Sequence, residues 1–244
     1  MKKIFILIII PIIVFSQTDE TKTSSFMFSV DYAYQFPAFD LKDRFGNNSS
    51  LGASLIQKNK NGYLFSLSGR WLFGNNIKEE NIFDFIDGEN GDIININGQI
   101  PIIRLFERGA QLHINFGKKL NLNIKKSESG IVPSIGFGYV YHKIFIETLL
   151  GETPQLNENL IKGYDRLSGG FSLKQSLTFM YLSDNNMKNF NFGIEIVECW
   201  AKDLRNYHYS NNSIPKKRFD VFIGLKFGWI VPLKKRTTSN YYYY

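Results

Sequence analysis

Eight segments of this chain, each about ten residues long, put large apolar or aromatic groups on every second position and small or polar groups between them. In the third, Tyr63, Phe65, Leu67, Trp71 and Phe73 fall on one side, and Leu64, Ser66, Ser68, Arg70 and Leu72 on the other. Successive side chains of a strand face opposite ways, so a period of two means strands with two unlike faces. The pattern places them at 26–36, 49–57, 62–73, 108–117, 130–143, 169–182, 189–201 and 218–231.

Side-chain size decides which face looks inward. The bulky face carries Tyr32, Tyr34 and Phe36 in the first segment, Phe137, Tyr139 and Tyr141 in the fifth, and Leu225, Phe227 and Trp229 in the last. An eight-stranded barrel has an interior only wide enough for ordinary side chains. That many rings do not fit it. The opposite face, with Ser29, Ala33, Ser66, Ser68, Gly136, Gly138, Gly224 and Gly228, is sized for a crowded axis. The bulky face therefore points outward, where acyl chains make it stable. Ten residues tilted at ~45° span roughly 23 Å, close to the apolar band of outer-membrane barrels. The expected fold is all-β, an eight-stranded antiparallel up-and-down transmembrane β-barrel.

The ends and connections agree. Residues 1–16 read as a secretory signal peptide, with Lys2 and Lys3 before the apolar run Ile4 to Phe15 and cleavage expected between Ser16 and Gln17. That run is too short to span a bilayer as a helix. The expected layout is a leader at 1–16, a periplasmic segment at 17–25, a barrel at 26–232 and a tail at 233–244. Connections 37–48, 74–107, 144–168 and 202–217 are long and 58–61, 118–129 and 183–188 shorter, the outside–inside asymmetry of such barrels. Strands two to four are expected to reach above the membrane to carry 74–107. Removing Lys2 and Lys3 from the 29 basic residues leaves 27 against 22 acidic ones, a net of +5, too diffuse for a nucleic-acid partner. Outer-membrane lipid, lipopolysaccharide and other envelope proteins are the expected partners, and no cofactor is expected. Cys199 stands alone, which rules out an internal disulfide and suits a small buried residue.

The inward phase collects Asp31, Arg70, Gln111, His113, Lys174, Glu195, Asp220 and Lys226. Strand direction sets Lys174, Glu195, Lys226 and Asp31 at mid-height on four consecutive strands, in the order plus, minus, plus, minus. Arg70 reaches toward them from the third strand, and Asp220 lies near the outer end. Buried charge needs a partner, so an ion-pair network that fills and locks the bore is expected. A proton or ion path through the same charges is the alternative.

Other sites carry weaker signals. Asp87-Gly88-Glu89-Asn90-Gly91-Asp92 has oxygen ligands and glycines but not EF-hand spacing, so a solvated loop is expected and no metal site. Basic residues gather at Lys202, Arg205, Lys216, Lys217 and Arg218, where lipopolysaccharide phosphates or the acidic second loop are candidate partners, and at Lys118, Lys119, Lys125, Lys126, Lys234, Lys235 and Arg236 on the inner side. For a lipid-handling enzyme at the outer rim, the pairings worth naming are His142 with Ser134 or Glu147, and His208 with Ser210. None sits in a distinctive motif, and no catalytic residue is assigned. Tyr241 to Tyr244 end the chain as a run of tyrosines.

The layout resembles the small outer-membrane β-barrel proteins of the Bacteroidota, with the eight-stranded architecture of the OmpA and OmpX type. The matching features are a leader ending Ser16-Gln17, an opening strand reading Asp31-Tyr32-Ala33-Tyr34, and a closing strand ending Gly228-Trp229-Ile230-Val231-Pro232. The resemblance implies fold and an outer-membrane location. It also implies a structural or accessory role, since members of that group include subunits of secretion, gliding and barrel-assembly machines.

Overall fold

The structure, a computed structural model, describes residues 24–80, 82–84, 86, 93–122, 129–183, 188–205 and 217–233. The leader, the run 87–92, Lys125, Lys126, His208, Ser210, Lys216 and the tail from 234 lie outside the described residues. In chain order the elements are β1 (Ser25–Phe39), α1 (Asp40–Arg44), β2 (Asn48–Lys58), β3 (Tyr63–Gly74), β4 (Ile102–Lys118), β5 (Leu120–Asn121), β6 (Gly130–Leu149), β7 (Ser168–Tyr181), β8 (Phe190–Asp203) and β9 (Lys217–Pro232).

Every long strand pairs antiparallel with its chain neighbour, β4 joining β6 past the two-residue β5, and β9 returns to pair with β1. The sheet closes into a ring of eight strands with no free edge along the wall. Following the register from Asp31 through Gly52, Arg70, Gln111, Val140, Gly170 and Ala201 ends at Arg218, whereas β9 places Gly228 directly opposite Asp31. The offset between 218 and 228 is a shear of ten residues. With strands ~4.8 Å apart and a rise of ~3.3 Å, that shear sets a tilt of about 41° and a backbone radius of about 8 Å.

The faces sort as size demanded. Phe65, Phe137 and Phe227 are 44%, 54% and 55% exposed on the outside, while Ser29, Asp31 and Ala33 are fully buried within. The outer wall is thus a continuous apolar band, a surface that lipid stabilises and water does not. Two polar residues interrupt it, and they answer one another: Gln175 Nε2 donates to Glu198 Oε1 at 3.0 Å. At the narrow end, Asn59-Lys60-Asn61-Gly62 turns β2 into β3. The Gly62 N–H donates to Asn59 O at 3.0 Å, and Gly62 takes φ 79°, open to glycine without steric cost.

Two expectations need correcting. First, of strands two to four only the fourth, β4, rises above the wall, and β6 rises with it: β4 begins at Ile102 and β6 runs to Leu149. Ile102 lies eight residues beyond Ala110, the register partner of Trp71, and so stands about 20 Å above that ring. Connections 74–107 and 144–168 shrink accordingly. Second, the ion-pair network does not fill the bore alone. Met27, Ile56, Leu64, Val132, Met180, Leu182 and Ile230 form an apolar plug at the turn end. Leu72, Val140, Val197, Cys199 and Phe222 form another toward the mouth, joined by Leu41 and Phe45 from the first loop.

Candidate functional site

Between the two apolar plugs lies a belt of charge, and the structure brings all five expected residues into it. Strand parity turns Asp31, Arg70, Lys174, Glu195 and Lys226 inward, and all five are buried or nearly so. Lys174 Nζ is 2.9 Å from Glu195 Oε2, and Arg70 Nη1 pairs with Glu195 Oε1 from across the bore. Lys226 Nζ is 3.3 Å from Asp31 Oδ1. Asp31 also accepts from Ser29 Oγ at 2.8 Å, Ser54 Oγ at 2.5 Å and Asn191 Nδ2 at 3.4 Å. Glu195 therefore ties two cations, while Asp31 ties one cation and three neutral donors. His113 shares a 2.9 Å hydrogen bond with Ser172 Oγ in the same belt.

Gly228 makes room for this arrangement. A Cβ there would stand 2.2 Å from Asp31 Oδ1 and 2.7 Å from Asn191 Nδ2. Gly228→Val is accordingly expected to displace the carboxylate and cost roughly 1–3 kcal/mol, as overpacking does. A lowered thermal midpoint in detergent checks this; an unchanged midpoint would show slack around Asp31.

The second polar assembly sits at the mouth, and sequence reading found only parts of it. Helix α1 folds across the opening and buries Arg44. The Arg44 guanidinium pairs with Glu79 at 3.2 Å, and donates to Ser168 Oγ at 3.2 Å and to Arg166 O at 3.3 Å. Glu79 also binds Arg166. Burial pulls Arg44 down to about 10, with nearby Arg218 adding to the fall and Asp220, Asp203 and Glu107 opposing it. Burial brings Arg166 to about 10 as well, helped by Arg44 and Arg218. Both stay charged at neutral pH. Outside them, Arg205 grips Asp165 bidentately at 2.7 and 2.6 Å, Lys143 approaches the same carboxylate at 3.8 Å, and Arg218 binds Asp203. Two cations of the basic rim, Arg205 and Arg218, are thus neutralised from within.

His142 belongs to this assembly, and its expected partners do not. Ser134 hydrogen-bonds to Ser176 at 2.6 Å, and Glu147 stands opposite Arg104 on β4. His142 instead meets Asp220 Oδ2 at 3.2 Å and Ser168 Oγ at 3.4 Å through Nε2, with Glu107 Oε1 at 3.7 Å from Nδ1. A serine, a histidine and two carboxylates are thus gathered here, all of them buried. Asp220 already holds the nitrogen a base would use, and Nδ1 is too far from Glu107 for an orienting bond. Ser168 accepts from Arg44, and the Phe45 and Phe222 rings cover the imidazole at 5.1 and 6.1 Å between centroids. His142 has no exposed surface. Cys199, also fully buried, directs its thiol to Gly170 O at 3.7 Å.

Above the mouth, the inner face of the β4–β6 extension is covered by loop residues. Ile82, Leu156 and Tyr164 join Ile144 and Ile146 in one buried cluster, with Phe83, Ile103 and Leu105 packed against it. The outer face of the extension carries Arg108 over the Phe106 and Phe145 rings at 4.9 and 5.9 Å. The result is a folded lobe outside the wall rather than a set of loose loops. Among the described residues there is no cluster of three or more His, Cys, Asp or Glu side chains placed to hold a metal.

No protein-family model matches the chain, and no curated protein sequence does. Solved structures with a similar layout include Ail, the attachment invasion locus protein of Yersinia pestis, determined in complex with the heparin analogue sucrose octasulfate. It is 9% identical, with a TM-score of 0.42 over 84% of this chain and 99% of that one. Neisserial surface protein A (NspA) is 12% identical, with a TM-score of 0.41 over 86% and 98%. The outer membrane protein OprG from Pseudomonas aeruginosa is 13% identical, with a TM-score of 0.36 over 86% and 96%. At such scores the likeness carries no argument about activity or ligand. The ring closure stands on its own strand pairing.

Proposed function

We propose that this chain is an integral outer-membrane β-barrel of the Bacteroidota type with a structural or accessory role, and that it contacts other envelope components through its extracellular lobe. The observation that carries this reading is the lobe itself. The chain extends two strands beyond the wall and packs two loops against them, over a bore crossed by two apolar plugs and an ionic belt. A preformed surface on a closed barrel suits recognition better than passage. The His142 group, sealed behind Phe45, suits a non-enzymatic role.

Purification in mild detergent tests it. The full-length protein is expected to co-elute with a larger envelope assembly, and Phe145→Glu with Phe106→Glu on the lobe is expected to abolish that while leaving the barrel folded. Elution of the wild type as a free barrel would count against the reading. Planar-bilayer recording gives a second check: no steady conductance is expected, and a stable open channel would refute the closed bore.

A lipid contact is favoured by one feature of the rim. Lys202 and Lys217 are exposed, face each other across the β8–β9 register and lie just beyond the outward Trp200 and Phe219 rings. Like charges opposite one another destabilise a sheet unless an anion lies between them. Lipopolysaccharide phosphates at that height would supply it. Lys202→Gln with Lys217→Gln is expected to weaken retention of lipopolysaccharide on the purified barrel, measured as bound phosphate per chain; retention equal to the wild type would argue against the contact.

A further inference from the structure

Just below the ionic belt the lumen holds a cavity of about 60 Å³, room for roughly four or five waters. Its floor is apolar, formed by Ile56, Leu64, Val132 and Met180. Its upper wall presents Lys174 and Lys226, amide groups of Asn115 and Asn191, and a ring of serine hydroxyls. Neither carboxylate of the belt lines it. The cations face the space and their counter-charges sit behind them.

The charges do not balance. Arg70, Lys174 and Lys226 stand against Asp31 and Glu195, which leaves one positive charge in excess, and protonation of His113 would only raise it. Donors are in surplus too. Each ammonium has three N–H groups and pairs with one carboxylate, so two remain on each. Arg70 Nε and Nη2 are buried without an acceptor. An uncompensated buried cation costs several kcal/mol unless something pairs with it.

We propose that this cavity binds a small monovalent anion, with chloride as the probe, held between the ammonium groups of Lys174 and Lys226 that line it. One negative charge brings the belt to neutrality, whereas a divalent anion would overshoot. The ion completes the closed bore as a structural component; it does not need to move through it.

Bromide substitution tests this on the full-length protein. Crystals grown in sodium bromide are expected to show an anomalous peak within ~3.5 Å of both lysine nitrogens, a distance that allows for the larger halide radius compared with oxygen. In solution, the unfolding rate at a halide concentration ten times the dissociation constant should be about tenfold slower than in sodium gluconate of equal ionic strength. Lys226→Met is expected to erase that difference, whereas Lys60→Met in the exposed β2–β3 turn should keep it. Water alone at the site in bromide crystals overturns the proposal, even if Lys226→Met fails to fold. So does a halide effect that survives in folded Lys226→Met.

Discussion

Glu195→Gln is expected to destabilise the barrel by about 3–5 kcal/mol, the cost of removing one member of a buried ionic group and leaving its partners unpaired. Glu195 is the hub of the belt, since both Arg70 and Lys174 depend on it. The amide keeps the shape and hydrogen-bonding reach of the carboxylate and removes the charge, so the loss reports charge pairing rather than volume. Urea titration of the protein reconstituted in lipid vesicles measures it. Asp31→Asn should cost less, because Ser29, Ser54 and Asn191 continue to bond the side chain there. Adding Arg70→Met to Glu195→Gln should recover part of the loss, since the double variant carries one stranded cation instead of two. A Glu195→Gln protein as stable as the wild type would mean that water already neutralises the belt.

The second large effect lies on the other face. Phe137→Lys places a charge near the middle of the apolar band, where such a substitution costs about 2–4 kcal/mol, while Tyr141→Lys at the outer ring should cost about 0–1 kcal/mol. Both positions face outward and are similarly open, at 54% and 41% exposed. The contrast therefore depends on depth in the bilayer rather than on packing. Equal costs at the two positions would place both in the same medium, contrary to a spanning wall.

The wall was legible in the sequence because its two faces meet different surroundings. Phe65 beside Ser66 and Phe137 beside Gly138 record lipid on one side and a crowded axis on the other. The belt followed from the same parity, since strand direction alone puts Lys174, Glu195, Lys226 and Asp31 at one height. The extension of β4 and β6 was not legible, for a physical reason. In Ile102-Ile103-Arg104-Leu105-Phe106 and Ile144-Phe145-Ile146 the inner face is apolar because loop residues cover it, while the outer face keeps exposed apolar groups such as Ile102 and Phe145, so the alternation fades into an almost continuous apolar run. The mouth assembly was hidden for a related reason. Arg44 enters it from the end of a five-residue helix, Phe45 from just after it, and Glu107 from the extension, so no spacing along the chain links them to His142. His142 itself was a visible candidate, but its partners came from three other elements.

Orientation of the bulky face is the premise beneath every other statement, and site-directed spin labelling in lipid bilayers tests it most directly. Single cysteines placed at positions 64 through 68 of β3, in a Cys199→Ser background, would each carry a nitroxide. Labels at 65 and 67 should collide strongly with oxygen dissolved in the acyl chains and weakly with a water-soluble nickel chelate, while labels at 64, 66 and 68 should be shielded from both. Chelate access at 65 and 67, or oxygen access without a period of two, would contradict the account.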